Sequence, residues 1–114
     1  MKIYHNPRCS TSRKALKMIT DSGIEPEIIL YQKNALSPME LGTLLRKMKM
    51  VPIDLIRKKE DLFKTVYKDK ELSDEEWIQI MIEHPRLMER PIVEDGNKAV
   101  LGRPLGNIED LISK

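Results

Sequence analysis

One cysteine, Cys9, is present among 114 residues. No internal disulfide is possible, and a lone thiol fits a reducing compartment. Neither histidine has a second metal-ligand candidate at usable spacing, so no metal site is expected. Aromatics are scarce, with one Phe, one Trp and three Tyr. That scarcity removes the aromatic-basic platform on which single-stranded nucleic acids stack. Net charge is only +2, with both signs interleaved, too weak a field to argue for nucleic acid as a partner. No apolar run approaches membrane-spanning length and the N-terminus has no apolar leader, so a cytoplasmic protein is expected. What remains is one α/β domain over residues 1–114, able to bury about two-thirds of its unfolded surface. Methionine, leucine and isoleucine must fill its core.

The most informative stretch is Tyr4-His5-Asn6-Pro7-Arg8-Cys9-Ser10-Thr11-Ser12-Arg13. Residues 2–5 read as a strand. Ala15, Leu16, Met18 and Ile19 recur at helical spacing, with Gly23 as a stop. Cys9 then falls at or just before the first helical turn, where unpaired N–H groups and the helix dipole favour an anion. A thiol placed there ionises more readily than a free one. Acidic residues would stabilise such a helix start, yet the flanks are Arg8, Arg13, Lys14 and Lys17. The competing reading is a buried structural cysteine, the commoner fate of a lone Cys. Ser10, Thr11 and Ser12 beside basic neighbours argue instead for a reactive one.

Residues 26–31 are rich in β-branched side chains and read as a second strand, closing a βαβ unit with parallel strands. The Cys9 loop then lies at the carboxyl end of the first strand, where open α/β sheets hold ligands. A helical insertion over roughly residues 37–84 follows. Ser37-Pro38-Met39-Glu40 and Ser73-Asp74-Glu75-Glu76 are capping boxes. Leu41, Leu44, Leu45 and Met48 form one apolar stripe. A short helix is expected around 60–67, and Trp77, Ile78, Met81 and Ile82 are expected on the buried side of a third helix. His84 reads as a helix-end residue. Residues 91–94 and 99–101 flank Asp95-Gly96-Asn97-Lys98, a hairpin signal, and Ile108, Leu111 and Ile112 mark a final helix.

Strand, loop, helix, strand, then hairpin and helix is the thioredoxin/glutaredoxin-like plan. The segment His5–Arg13 resembles the nucleophile loop of the glutaredoxin-linked arsenate reductases, the ArsC type. Leu55-Ile56-Arg57-Lys58, Glu89-Arg90-Pro91-Ile92-Val93 and Gly102-Arg103-Pro104 match that family in order along the chain. The resemblance implies Cys9 as nucleophile and Arg57, Arg90 and Arg103 as ligands of arsenate or a similar oxyanion. It implies that His5 and Ser12 tune or hydrogen-bond the thiolate, and that Pro91 occupies the place of the cis-proline facing the cysteine. No bound cofactor is implied; glutathione is the co-substrate and glutaredoxin the partner. The chain is similar to the shorter branch of the family.

Guanidinium groups suit a tetrahedral oxyanion because each presents paired N–H donors with a fixed charge. Arg90 and Arg103 each abut a β-element and a proline. Arg57-Lys58-Lys59 could equally be a solvated basic run. Two other readings use the same residues. Spx-type regulators share this fold and bind RNA polymerase, but commonly carry a Cys-x-x-Cys pair where this chain has Ser12. A thiol-exchange protein linked to glutathione would need Cys9 but not arsenate.

Overall fold

The computed structural model describes residues 1–113. Four strands, β1 (Lys2–Tyr4), β2 (Glu27–Ile29), β3 (Ile92–Asp95) and β4 (Lys98–Leu101), form one sheet in the order β2-β1-β3-β4. β1 pairs in parallel with β2, while β3 runs antiparallel to both β1 and β4. The expected βαβ unit is therefore present. Its first strand lies in the sheet interior, and edge strand β2 leaves Ile28 about half exposed. A direct consequence of these directions concerns the site: the carboxyl end of β1, the start of β3 and the end of β4 all meet at one end of the sheet.

The chain divides into two compact units, residues 1–34 with 90–114, and residues 35–89. The first unit holds the sheet with α1 (Ser10–Asp21) and α4 (Gly106–Ile112). Its core is Ile3, Ala15, Ile19, Val93, Ile108 and Leu111. Ile3 and Val93 are cross-strand partners, so they project from the same sheet face, and Ala15 and Ile19 are one helical turn apart. These matched periods of two and about four are what dock α1 on the sheet. Leu16, Met18 and Ile112, read as apolar-face residues, are only partly buried around this core.

The second unit is helical. It contains α2 (Pro38–Met48) and α3 (Asp74–Glu83), joined by a 3-10 turn at Pro52–Leu55 and a π-type turn at Phe63–Tyr67; a further 3-10 turn, Pro85–Leu87, follows α3. Both capping boxes form as expected. Ser37 accepts from the Glu40 N–H while the Glu40 carboxylate accepts from the Ser37 N–H, and Ser73 and Glu76 do the same. Each box satisfies two otherwise orphaned donors. α2 ends at Lys49 in the left-handed conformation. The short helix expected around 60–67 is present over residues 61–67, its last five residues in π-helical form. One expectation needs correction. On α3, Ile80 is buried beside Trp77 and Met81, whereas Ile78 and Ile82 are only half-buried. His84 caps the helix, as read.

The β3–β4 hairpin turns through Gly96 and Asn97, with Gly96 at a φ of 60° that favours glycine. Beyond β4, Gly102 is buried and its N–H donates to the Pro91 carbonyl at 2.8 Å. A Cβ at Gly102 would lie 2.7 Å from Ile108 Cδ1 and 2.8 Å from Pro91 Cγ. Only a residue without a side chain lets the strand end approach so closely. Gly102→Ala is expected to lower stability by roughly 1–3 kcal/mol through overpacking, read as a lower urea midpoint with unchanged slope.

Candidate active site

Cys9 is the N-cap of α1, in an extended conformation, and is partly exposed. The loop before it is shaped by Asn6, whose side-chain oxygen accepts from the Arg8 N–H at 3.0 Å and whose carbonyl accepts from the Cys9 N–H at 3.0 Å. The Cys9 carbonyl in turn accepts from the Arg13 N–H, the first helical hydrogen bond. The neutral thiol makes no capping hydrogen bond of ordinary geometry, but the Ser12 and Thr11 N–H groups stabilise its anion. Burial pushes the thiol pKa up. The Ser12 N–H, then the hydrogen bond and charge of Arg90, then the Thr11 N–H outweigh that penalty, and the net shift is downward.

Two arginines reach the sulfur from the other strands. Arg103 Nη2 lies 3.5 Å from Cys9 Sγ, and Arg103 Nε donates to the Arg90 carbonyl at 2.7 Å. One guanidinium thus spans from the sulfur to the backbone of the second arginine. Arg90 precedes β3 and Arg103 follows β4, so the antiparallel hairpin delivers both to the carboxyl end of β1 although they are 13 residues apart. The Arg90–Pro91 peptide is cis, as the resemblance implies for Pro91, and Arg103–Pro104 is cis as well.

Beneath the loop, Ser12 is fully buried and His5 nearly so. Ser12 Oγ accepts from the Asn6 N–H at 3.1 Å and shares a hydrogen bond with His5 Nδ1 at 2.7 Å. Burial first, and the Arg13 charge second, lower the His5 pKa below its ordinary value. Both causes favour the neutral imidazole, which shares its hydrogen bond with Ser12.

The basic residues flanking Cys9 in sequence do other work. Arg13 Nη1 donates to the Pro7 carbonyl at 2.8 Å, and Lys17 pairs with Asp21 at 2.9 Å. Neither is among the groups that lower the thiol pKa; the effective charge is that of Arg90. Arg57 belongs to the unit formed by residues 35–89. Its N–H donates to the Leu87 carbonyl, and its guanidinium faces Glu60 at 3.4 Å and Glu89 at 3.2 Å. The sequence pairs neither carboxylate with Arg57 by itself. Glu60, three residues on, is within reach of a search for charge pairs, whereas Glu89 heads a family-matching segment but lies 32 positions from Arg57, with no local signal for the pairing. Among the described residues no cluster of His, Cys, Asp and Glu could hold a metal.

A mixed four-stranded sheet with helices, whose sole cysteine caps the helix after the first strand, defines a thioredoxin-like α/β protein. More narrowly, the chain belongs to the ArsC family, whose profile matches residues 4–111. It is 43% identical to YfgD of Escherichia coli K12, itself uncharacterised, over 98% of this chain and 96% of that one. An arsenate reductase of Neisseria meningitidis serogroup A is 38% identical over 98% of this chain and 97% of its own. Among solved structures, the arsenate reductase from Vibrio cholerae superposes with a TM-score of 0.90 at 38% identity, covering 96% of this chain and 94% of that one.

Two outcomes follow from the hydrogen bonds at Cys9 and Ser12. The thiolate is the form that alkylates, so a lowered pKa moves the rise of iodoacetamide reactivity to lower pH. Arg90→Ala removes a cause of that lowering, and the reactivity curve of Cys9 is expected to move to higher pH. An unchanged midpoint would show that Arg90 does not stabilise the thiolate. Ser12→Ala strands the Asn6 N–H and the His5 ring without their shared oxygen. A loss of roughly 1–3 kcal/mol is expected, measured by chemical denaturation.

Proposed function

We propose that the protein reduces arsenate, with Cys9 as nucleophile and a small thiol as external reductant. The observation that most supports this reading is the Arg103 guanidinium 3.5 Å from the sulfur. Together with Arg90 it offers fixed positive charge and several N–H donors where an oxyanion would have to sit for attack. Relatives named arsenate reductase at 38% identity over nearly the whole chain agree with that choice of oxyanion.

The Cys9 thiolate attacks arsenic, a sulfur–arsenic bond forms, and one arsenate oxygen departs as water after gaining protons. Arg90 and Arg103 neutralise the oxyanion during this step. The family resemblance adds Arg57 as a third arsenate ligand; its guanidinium here faces Glu60 and Glu89. His5 and Ser12 brace the loop and keep the sulfur aligned. No second cysteine exists in the sequence to resolve the adduct, so glutathione attacks the Cys9 sulfur: a sulfur–sulfur bond forms, the sulfur–arsenic bond breaks with its electron pair going to arsenic, and arsenite leaves. A glutaredoxin thiol then attacks the Cys9–glutathione disulfide, takes the glutathionyl group and restores the Cys9 thiolate. In sum, arsenate and two thiols yield arsenite, one disulfide and water; arsenic gains the two electrons that the thiols lose.

Purified protein with glutathione, glutaredoxin, glutathione reductase and NADPH is expected to oxidise NADPH only when arsenate is present. Cys9→Ser should abolish this, and activity surviving that change would remove Cys9 from the mechanism. Arg90→Ala or Arg103→Ala should each lower arsenate turnover roughly 100-fold while thiol exchange on a model disulfide persists. Thiol exchange without any arsenate dependence would point instead to a glutathione-linked exchange protein.

A further inference from the structure

The unit formed by residues 35–89 concentrates what the rest of the chain lacks. Three of the chain's five aromatic residues, Phe63, Tyr67 and Trp77, meet there. Phe63 and Tyr67 each have ring centroids 6.2 Å from Trp77, the latter edge-to-face at 67°. Both lie on the π-type turn, a conformation that recurs at functional sites. These rings line a cavity of about 770 Å³, with Leu72 and Ile53 completing its apolar wall. The volume falls within the range of small-molecule sites, roughly 300–1,000 Å³.

The rim is charged, and unevenly so. Lys58, Lys64, Lys68 and Lys70 line the cavity against two carboxylates, Glu71 and Asp74. Among the described residues none of the four lysines forms an ion pair with a carboxylate. Lys70 instead lies over the Tyr67 ring, its Nζ 5.3 Å from the centroid. A purely structural hydrophobic cluster has no use for four cations around its mouth, whose mutual repulsion opposes folding. An organic anion resolves that repulsion while its apolar body packs on the partly exposed Tyr67 ring, above the buried Phe63 and Trp77.

We infer that this cavity is a binding site for a small amphipathic anion, an aromatic ring carrying a carboxylate or a phosphate on a short arm. The ring lies against Tyr67, Phe63 and Trp77, and the anionic head meets Lys64, Lys68 and Lys58 at the rim. The inference concerns residues separate from Cys9, Arg90 and Arg103 and stands whether or not arsenate is the substrate.

Trp77 is the only tryptophan and lines the cavity, so its emission reports occupancy without a label. Phenylbutyrate is the probe and phenylbutanol its uncharged counterpart. Saturable change in Trp77 emission with phenylbutyrate is expected, with phenylbutanol binding about five-fold weaker or worse, since exposed ion pairs each add little. The double substitution K64E/K68E should erase the preference for the acid while leaving the alcohol's binding in place. Cys9→Ser should alter neither ligand's affinity, which separates this site from the thiolate loop. No saturable response, equal affinity for acid and alcohol, or a preference that survives K64E/K68E would each overturn the inference. Both lysines are exposed, and far-ultraviolet circular dichroism checks that the variant is folded.

Discussion

A partly buried sulfur ionises more readily than a free thiol only if donors around it outweigh the cost of its burial. Here the Ser12 and Thr11 N–H groups and the Arg90 guanidinium supply that balance. The backbone donors exist because Cys9 is the N-cap and the first N–H groups of α1 have no intrahelical acceptors. The guanidinium is present because β3 runs antiparallel to β1 and so begins where β1 ends. Local and long-range structure thus converge on one atom. Had β3 paired in parallel with β1, its start, and Arg90 with it, would lie at the opposite end of the sheet.

The arginines are themselves braced. Arg103 donates through Nε to the Arg90 carbonyl and through Nη2 toward the sulfur, which fixes its planar group in one orientation. Gly102 makes this reach possible by letting β4 close onto Pro91 and Ile108 without a side chain between them. A donor oriented before an oxyanion arrives loses little freedom when it binds, and that preorganisation is where electrostatic assistance comes from.

Much of this was legible in the sequence because its signals are local. The capping boxes at Ser37 and Ser73, the helix start at Cys9 and the two-residue turn at Gly96-Asn97 each depend on fewer than ten consecutive residues. The apolar face of α3 was misread by two positions because Ile78, Ile80 and Ile82 are chemically alike, so only packing decides which is buried. The π-type turn at Phe63–Tyr67 has no compositional signature separating it from a short helix. At the site, the local charge run misled in a specific way. Arg13 and Lys17 follow Cys9 closely but spend their donors on Pro7 and Asp21, while the guanidinium whose charge acts on the sulfur comes from Arg90. Proximity in sequence put charge near the thiol; only sheet topology could say which charge is aimed at it.

Arg57 differs from the two arginines near the sulfur in having its charge spent at rest. Its guanidinium faces two carboxylates, and the distances set how firmly it is held. At 3.4 Å to Glu60 and 3.2 Å to Glu89, with all three side chains about a quarter to a third exposed, these are long, water-screened contacts. Such pairs contribute about 0–1 kcal/mol, less than a charge-assisted, bidentate bond to an oxyanion supplies. Glu60 and Glu89 therefore orient the Arg57 guanidinium within its own unit while adding little to stability. Arg90 keeps its charge beside the sulfur and lowers the thiol pKa, while Arg103 donates toward the same atom. Arg57, its charge spent on two carboxylates of its own unit, is not among the groups that lower that pKa.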